Sequence, residues 1–379
     1  MPIFSSPYAQ LDLLRAPKDS HSSLQAFNAA DEYLLEELHA RALPPRSPIL
    51  LLNDSFGALA LSLAAAGYQV TSCGDSYLAA QGLGINQQRN NLQHLSIDFV
   101  SQPEQLQGPF AAVLLHVPKT LALLEEQLIR IQPHIDSNSL VVAGAMIKHL
   151  PRAAGELIEK HIGPVQASLA KKKARLLWAT PSGIRTAQSP YPSRYPIPEY
   201  GLQLVNHAGI FSREGLDIGT RAFLPHLPKN LDHKQVVDLG CGNGVLALVC
   251  AQQNPAAEFI LLDEAYSAVR SAQENWHAAF AKRPAQFIVG DGLAAFVPNS
   301  LDVVLCNPPF HQQQVVGDFL ALRMFQQAAR CLRPGGELWL VGNRHLGYHV
   351  KLKRWFSHVE QIAALPKFVV LRASKAEHA

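Results

Sequence analysis

The sequence predicts an α/β protein with two tandem doubly wound domains, of which the first is a degenerate copy of the second. Three observations predict this fold class. Short β-branched runs alternate with helical patterns in the second half, similar segments recur in the same order in the first half, and a Pro-rich stretch separates the halves. We therefore predict domains over 1–180 and 205–379, joined by a linker over 181–204.

The elements of the second half follow from hydrophobic patterning. Strands are predicted at 235–239, 258–263, 286–291, 301–306 and 337–342, because each is a short run rich in Val, Ile, Leu or Phe. Helices are predicted from about Val245, from about Ala265 and over 316–332, the last ending at Pro334-Gly335-Gly336. Strands that alternate with helices in this way indicate a parallel sheet.

The first half repeats three of these segments. Residues 52–64 align with 239–251, 113–119 with 303–309, and 173–179 with 367–373. The glycines are mostly not repeated, because Asn53 and Ser55 stand opposite Gly240 and Gly242. We expect the first domain to share the fold but to lack a cofactor site.

Composition excludes several classes of protein. The 379 residues are 48% hydrophobic and 17% charged with a net charge of +3, which is typical of a globular chain and too apolar for a disordered one. No apolar run reaches the ~18 residues of a membrane span, and the N-terminus has no secretion signal pattern. The five cysteines form no Cys-x-x-Cys pair, so we expect no disulfides, no metal site and a cytoplasmic location.

A glycine-rich loop follows the strand at 235–239. Its sequence runs from Asp238 through Gly240 and Gly242 to Gly244, directly before a helix. Glycines let the backbone turn tightly and approach a ligand, and the free N–H groups of a helix start favour an electronegative one. Because Val245 replaces the last glycine of a dinucleotide fingerprint, we predict another nucleotide-like cofactor, although a purely structural turn stays open.

Acidic residues end the next two strands at the same predicted sheet edge. Asp263 is placed to accept hydrogen bonds from both ribose hydroxyls, as in other doubly wound nucleotide sites, although an Asp at a helix N-cap would occupy the same place. Asp291 is placed to accept from the exocyclic amine of an adenine. Alone it would be an ordinary turn residue.

The most specific motif is Asn307-Pro308-Pro309-Phe310, directly after the strand at 301–306. The two prolines fix their φ angles, so the Asn307 side chain and the Pro308 carbonyl can both accept from one planar NH₂ group. Phe310 offers a face on which a flat ring can stack. The motif therefore predicts a site for an exocyclic amine or an amide.

Taken in order, these motifs resemble the class I S-adenosylmethionine-dependent methyltransferases that act on exocyclic or amide nitrogens. The resemblance covers most of 205–373. Residues 207–228 and 306–313, with the paired halves, are similar to the ribosomal RNA guanine-N2 methyltransferases that carry a degenerate duplicate, and 29–38, 49–60 and 116–128 are similar to their large-subunit branch. The resemblance implies two tandem Rossmann-like class I methyltransferase domains, the N-terminal one degenerate.

The resemblance also implies roles for individual residues. The chain would transfer a methyl group from S-adenosylmethionine, leaving S-adenosylhomocysteine, to N2 of a guanine in 23S ribosomal RNA, as a monomer without a metal or a membrane. Guanine would be held by Asn307, Pro308, Pro309 and Phe310. The cofactor would contact Phe211, Gly219, Thr220, Asp238, Gly240, Gly242, Gly244, Asp263, Asp291 and Asn307.

Two basic stretches are candidate RNA contacts. One comprises Arg344, Lys351, Lys353 and Arg354 with Tyr348 and Trp355 between them, and the other comprises Lys171, Lys172 and Lys173 in the first domain. Cations interleaved with aromatic rings suit splayed RNA. For the three lysines a solvated surface is an equal alternative.

Other functions stay open on the sequence alone. Methylation of small-subunit RNA, methylation of a protein glutamine amide, and a non-catalytic RNA-binding assembly factor are the alternatives. Cys241 and Cys306 are candidates for a covalent nucleophile, but we favour a structural role, because Cys306 ends an apolar strand and Cys241 lies in a glycine loop for which a small residue suffices.

Overall fold

The computed structural model describes residues 3–17, 24–309 and 315–377. The chain forms two compact units, Met1–Tyr191 (unit 1) and Pro192–Ala379 (unit 2). In the described ranges, no helix combines the length and the apolar character that a membrane crossing requires.

Unit 1 is built on a seven-stranded sheet with the strand order β5-β4-β3-β6-β7-β9-β8. A short hairpin of two strands precedes it. Its elements are β1 (Phe4–Ser5), β2 (Gln10–Leu11), α1 (Ala29–Ala40), β3 (Pro48–Leu52), α2 (Ala58–Ala65), β4 (Gln69–Cys73), α3 (Tyr77–Arg89), β5 (Ile97–Val100), β6 (Ala112–His116), α4 (Leu121–Ile131), β7 (Leu140–Met146), α5 (Arg152–His161), β8 (Val165–Ala167) and β9 (Ala174–Ala179).

Unit 2 repeats this plan with the strand order β14-β13-β12-β15-β16-β18-β17. Its elements are β10 (Ser193–Ile197), β11 (Leu202–Asn206), α6 (Ile218–Phe223), β12 (Gln235–Leu239), α7 (Val245–Gln253), β13 (Glu258–Asp263), α8 (Tyr266–Phe280), β14 (Gln286–Val289), β15 (Leu301–Cys306), α9 (Val315–Cys331), β16 (Leu332–Asn343), α10 (Tyr348–Lys351), β17 (His358–Ala364) and β18 (Phe368–Ser374). In both units the first five strands in sheet order are parallel. The sixth, β18 in unit 2 and β9 in unit 1, is antiparallel to both of its neighbours. The predicted α/β duplication is confirmed.

Each sheet is buried on both faces, which explains its unbroken apolar strands. In β12, Val236 packs into one core layer of unit 2 and Val237 into the other, and both are fully buried. Neighbouring residues of β3 divide between two layers in the same way. The fully buried runs of β12 and β3 are therefore central strands, whereas β14 lies at the edge of its sheet.

The predicted strands at 235–239, 258–263 and 301–306 have the bounds of β12, β13 and β15. The strand predicted at 286–291 ends at Val289, because the chain turns through Gly292, whose φ is +51°. The strand predicted at 337–342 extends over Leu332–Asn343, because Leu332 already pairs with Leu301 before the register shifts around Pro334-Gly335. The helix predicted over 316–332 accordingly ends at Cys331.

The predicted linker at 181–204 is corrected by the structure. Its second part belongs to unit 2, because β10 and β11 form a hairpin whose Ile197 is buried in the core of that unit. Pro196 is compatible with a strand here because the hairpin has only two strands and leaves one side of β10 unpaired. Its first part belongs to unit 1, where Ser182 and Thr186 donate backbone N–H groups to Ile162 and Gln132.

The sheet registers refine the internal alignment. Ile49 of β3 pairs with Ala112, and Val236 of β12 pairs with Val303, so Ala112 and Val303 hold the same place in their sheets. The predicted alignment of 113–119 with 303–309 is therefore wrong by one residue. Two short apolar segments match each other almost as well when one is shifted by a single position. His116, not Val117, corresponds to Asn307.

Candidate functional site

The predicted site residues collect at one edge of the unit 2 sheet. Strands β12 to β16 are parallel, so their carboxyl ends lie at the same edge. Gly240 follows β12, Asp263 ends β13, Asp291 follows β14 and Asn307 follows β15. Ligands of doubly wound sheets bind in this position.

The glycine loop requires glycine for two different reasons. Gly240, Gly242 and Gly244 have φ values of +74°, +54° and +83°, in the left-handed region. A Cβ on Gly244 would lie 2.9 Å from Leu261 Cδ2, whereas a Cβ on Gly242 would meet nothing within 4 Å. Gly244 therefore serves packing of the helix on the sheet, and Gly242 leaves open space beside the main chain.

Asp238 is fully buried beneath this loop. Its Oδ2 accepts the backbone N–H of Ala247 at 3.0 Å and so caps the first turn of α7, whereas its Oδ1 is buried without a partner. Burial, helped by the negative charge of Asp263, raises the pKa of Asp238 to about 8. A cationic group beside Oδ1 would favour the ionised form.

Asp263 holds the glycine loop in place. Its Oδ2 accepts the N–H of Gly242 at 2.9 Å and its Oδ1 accepts the N–H of Ala265 at 3.0 Å. Burial raises the pKa of this carboxyl. The backbone of Glu264 is a third donor to this carboxylate. Because a carboxylate has about four acceptor positions, about one remains for a ligand, and the predicted contact with a ribose stays a prediction.

Asn307 is oriented by the helix that precedes β12. Its Nδ2 donates to Thr220 Oγ1 at 2.8 Å and to Asp217 Oδ2 at 3.2 Å. Asp217 also N-caps α6 by accepting from the N–H of Thr220. The Asn307 Oδ1 atom is buried and has no partner in the part of the chain that the structure describes. The amide therefore uses its donors within the protein and keeps its acceptor for a ligand.

A buried polar network that the sequence did not reveal supports the loop from behind. Asn243 donates from Nδ2 to Asn206 Oδ1 at 2.9 Å and to Tyr195 Oη at 3.1 Å. Asn275 donates to the carbonyl oxygens of Asn243 and Val205. Since these residues come from β10, β11 and α8, only their meeting in space identifies them.

Asp291 already has a cationic partner. The guanidinium of Arg323, on α9, contacts both carboxylate oxygens at 2.5 Å. The predicted contact of Asp291 with an adenine amine therefore has to share this carboxylate. The sequence did not single out Arg323, because the helix over 316–332 was predicted from its apolar residues alone. Its signal was the helical spacing of Arg323, Gln327 and Arg330, which places three polar side chains on one face.

The remaining predicted residues differ in exposure. Gly219 and Thr220 are buried in α6, whereas Phe211 lies on the preceding loop with 73% of its surface exposed. Pro308 is buried and Pro309 is half-buried. Phe310 lies outside the described residues, so its predicted stacking role stays a prediction.

The two candidate nucleophiles are not accessible. Cys306 and Cys241 are both buried. Burial raises the pKa of the Cys306 thiol and of the Cys241 thiol, so neither is a thiolate at neutral pH. The structural alternative is favoured for both.

The two basic stretches differ in their surroundings. Arg344 is exposed directly after β16, at the same sheet edge as Asn307. Lys353 and Arg354 are exposed just before β17, which begins at the opposite edge because His358 and Glu337 both pair with Ser374. Lys351, between them, is half-buried. In unit 1, Lys171 and Lys172 form ion pairs with Glu36 and Glu32 of α1.

Three other unit 1 cations lie at the carboxyl edge of the sheet. Lys119 follows β6, Lys148 follows β7 and Lys173 precedes β9, and all three are exposed. Within the described ranges, none of them has a carboxylate within 4.0 Å. The positive charges of Lys148 and Lys119, together with burial as the larger cause, lower the pKa of His149. These lysines therefore form a local positive surface.

The unit 2 edge fits a nucleotide-like group that carries a positive charge. Gly242 leaves room against the main chain, and two buried acceptors, Asp238 Oδ1 and Asn307 Oδ1, have no partner among the described residues. A buried acceptor without a partner is costly, so Asn307 Oδ1 indicates a donor supplied from outside. Asp238 Oδ1 would be satisfied by a proton or a cation, and Asp54 Oδ1 of unit 1 is in the same state.

Comparison with known families matches both units. The model of the RLMG N-terminal domain matches residues 1–183, and that of the methyltransferase small domain matches residues 201–372. The ribosomal RNA large subunit methyltransferase G of Pseudomonas putida strain GB-1 is 63% identical over 375 residues, which cover 99% of this chain and 100% of that protein. The protein of the same name from Stutzerimonas stutzeri strain A1501 is 62% identical over 376 residues, with the same coverage.

A solved structure shares the fold over nearly the whole chain. The T. thermophilus 16S rRNA N2 G1207 methyltransferase superposes with a TM-score of 0.76 and covers 99% of this chain and 97% of its own. The two sequences are 19% identical, so the likeness shows the fold.

Proposed function

The chain belongs to the ribosomal RNA large subunit methyltransferase G family, and we propose that it transfers a methyl group from S-adenosylmethionine to the exocyclic N2 of a guanine in 23S ribosomal RNA. Its relatives at 62–63% identity carry the large-subunit name over their full length. The T. thermophilus relative was solved in complex with AdoMet and guanosine, so a fold of this kind accommodates both ligands.

The observation that carries the choice of an amine as target is the state of the Asn307 amide. Its Nδ2 is committed to Thr220 and Asp217, so the side chain cannot rotate to present a donor, and its Oδ1 is buried without a partner. An acceptor fixed in this way binds an N–H of the incoming base. A guanine amine supplies that N–H, whereas a carbonyl oxygen would be repelled.

The residues around the glycine loop would hold the cofactor, which supplies a methyl group already activated by its positively charged sulfur. Gly240 and Gly242 admit the ligand close to the main chain, and Asp263 offers its remaining acceptor position to the ribose. Asp238, buried with a free Oδ1, would neutralise positive charge on the bound group. The Asp291 carboxylate would accept from the adenine amine.

The protein's part in the reaction is positioning rather than strong acid–base chemistry. Aligning a nitrogen lone pair with a reactive methyl group can be worth roughly 7–11 kcal/mol of the barrier. The Asn307 Oδ1, by accepting an N–H of the amine, would oppose delocalisation of the lone pair into the ring and stabilise the positive charge that develops on nitrogen. The target guanine has to leave its stack to reach this buried atom.

RNA would be bound by exposed cations. Arg344 lies at the edge that holds Asn307, and Lys353 and Arg354 lie further along the same connection, before β17. Lys119, Lys148 and Lys173 lie at the carboxyl edge of the unit 1 sheet. We propose that unit 1 positions RNA through phosphates and binds no cofactor, that the protein acts as a monomer in the cytoplasm, and that it needs no metal.

The test is methyl transfer to ribosomal RNA from cells that lack the enzyme. The purified protein is incubated with tritium-labelled S-adenosylmethionine and either 23S or 16S ribosomal RNA, and the product is digested to nucleosides. We expect label in N2-methylguanosine from 23S ribosomal RNA. Label in another nucleoside, or only in 16S ribosomal RNA, would contradict the proposal.

A further inference from the structure

The ion pair between Asp291 and Arg323 has a geometry that goes beyond a surface salt bridge. Both nitrogens of the Arg323 fork reach both oxygens of Asp291 at 2.5 Å, and only 24% and 14% of the two side chains are exposed. A bidentate, largely desolvated pair of this kind fixes the carboxylate in orientation as well as in charge. The carboxylate of Asp291 is therefore held by α9, whereas its backbone carbonyl accepts from Ala294 of its own loop.

Two further residues of α9 hold the same loop. Gln327 accepts the N–H of Leu293 at 3.0 Å and donates to the carbonyl of Asp291 at 3.3 Å. Arg330 donates to the carbonyl of Leu293 at 2.6 Å. Arg323, Gln327 and Arg330 occupy positions i, i+4 and i+7, so one face of the helix is given to this loop.

Unit 1 has only a looser version of this arrangement, in which Arg130 of α4 lies 3.7 Å from Glu104 in the segment after β5. Leu124, Leu128 and Ile131 of α4 are buried with the same spacing as Ala321, Phe325 and Ala328 of α9. This correspondence places Glu126 where unit 2 has Arg323. Glu126 instead pairs with Arg130 of its own helix. Among the described residues, the short bidentate form of this ion pair is thus found in the unit that has the glycine loop.

We propose that Arg323 is a positioning residue for recognition of the adenine of the cofactor, an inference that rests on the proposed function. Its fork takes two of the roughly four acceptor positions of Asp291 and orients the carboxylate so that the others accept the exocyclic amine. Hypoxanthine has a carbonyl oxygen in place of that amine and would be repelled. Arg323 thereby contributes to the choice of adenine without contacting it.

The experiment compares the calorimetric affinities of the full chain for S-adenosylhomocysteine and for its hypoxanthine analogue, S-inosylhomocysteine. A hydrogen bond to a charged group gives a preference for adenine of roughly 10- to 100-fold in the parent protein. Asp291→Asn should reverse the preference, because an amide can donate to the hypoxanthine oxygen. Arg323→Met should reduce the preference to a fewfold, and Arg323→Lys should retain an intermediate value.

Arg330→Met is the matched control, because it removes another contact of α9 with the same loop but leaves Asp291 paired. We expect it to keep the parent preference. If Arg323→Met also keeps the parent preference while Asp291→Asn reverses it, Arg323 is only a structural anchor and the inference is overturned. Failure of the parent protein to bind S-adenosylhomocysteine would instead contradict the proposed function itself.

Discussion

The two units share one topology but treat the end of the first sheet strand in opposite ways. In unit 2 Gly240 leaves the loop open, and the nearest atom to a Cβ there would be Met324 Cε at 3.3 Å. In unit 1 Asn53 keeps the left-handed φ, at +65°, but fills the space with a side chain. That side chain exchanges two hydrogen bonds with Gln127, at 2.9 and 2.8 Å. Unit 1 has kept the backbone and closed the cavity.

The buried acid shows which part of the motif belongs to the fold. Asp238 caps Ala247, the third residue of α7, and Asp54 caps Ala60, the third residue of α2, at 2.8 Å. The two acids do not occupy equivalent positions, because Asp238 lies within β12 and Asp54 lies after β3. Both units therefore cap this helix with a buried acid, although the acid comes from different positions relative to the first sheet strand.

The end of the fourth strand differs in chemistry but not in geometry. Asn307 contacts Thr220, the third residue of α6, at 2.8 Å, and His116 contacts Asp31, the third residue of α1, at 2.7 Å. Both contacts join the strand end to the helix before the sheet. Only the Asn307 version leaves an acceptor oxygen without a partner.

The largest expected effect is on the methylation rate, and it should differ between substitutions at Asn307 and at His116. Asn307→Ala removes the proposed acceptor for the amine and should slow single-turnover methylation of 23S ribosomal RNA by roughly 10²- to 10³-fold, by analogy with loss of an oxyanion-hole donor. Its affinity for S-adenosylhomocysteine should change by no more than a fewfold. His116→Ala is the control and should leave the single-turnover rate at saturating RNA unchanged. Near-normal methylation by Asn307→Ala would refute the role assigned to this residue.

A reciprocal exchange tests whether side-chain volume decides which unit binds the cofactor. Gly240→Asn should weaken binding of S-adenosylhomocysteine by roughly 10- to 100-fold, because asparagine tolerates the left-handed φ but overfills the space. Asn53→Gly should leave calorimetry at one site per chain, because Ser55 and His116 also differ from the unit 2 residues. Two sites in either the parent or the Asn53→Gly protein would contradict this comparison.

The buried acids should also differ in their effect on stability with pH. Between its ordinary pKa of about 4 and its folded-state pKa of about 8, Asp238 binds a proton in the folded chain but not in the unfolded one. Raising the pH through this window therefore lowers the free energy of unfolding, by up to about 1.4 kcal/mol per pH unit, and the loss ends above pH 8.

Urea unfolding at pH 6 and pH 8 measures this difference. Asp238→Asn keeps an acceptor for Ala247 and should remove much of the decrease between the two pH values. Asp54→Asn is the matched variant. Burial and the charge of Asp31 raise the pKa of Asp54 only to about 6, so its contribution changes mainly below pH 6. Equal slopes for the parent and Asp238→Asn proteins would count against a protonated Asp238.

The smallest expected effect concerns the RNA surface of unit 1. Replacing Lys119, Lys148 and Lys173 with Gln should weaken binding of 23S ribosomal RNA fragments and reduce the slope of log affinity against log salt by ~0.7–0.9 for each lost phosphate contact. The double variant of Lys171 and Lys172 should change the slope less, since both lysines already have glutamate partners. An unchanged slope in the triple variant would show that these lysines do not contact phosphate.

The parts of the fold that were predictable are those in which one segment determines its own structure. Buried strands such as 235–239 and the glycine turn before α7 are local patterns. The partners of site residues were not predictable, because Arg323 reaches Asp291 across 32 positions and Asn307 reaches Thr220 across 87. The prolines near 190–198 led to the wrong prediction of a linker, because proline is excluded from central strands. A two-stranded hairpin, which has an unpaired side, tolerates it.

The hairpin of β10 and β11 limits how the protein can be divided for expression. Tyr195 and Asn206 accept the two hydrogen bonds that Asn243 donates beneath the glycine loop. A fragment starting at residue 205, the boundary that the sequence suggested, would lose Tyr195 and the paired strand that holds Asn206 in place. A fragment of unit 2 that keeps these contacts must therefore start no later than Ser193, inside the proline-rich stretch.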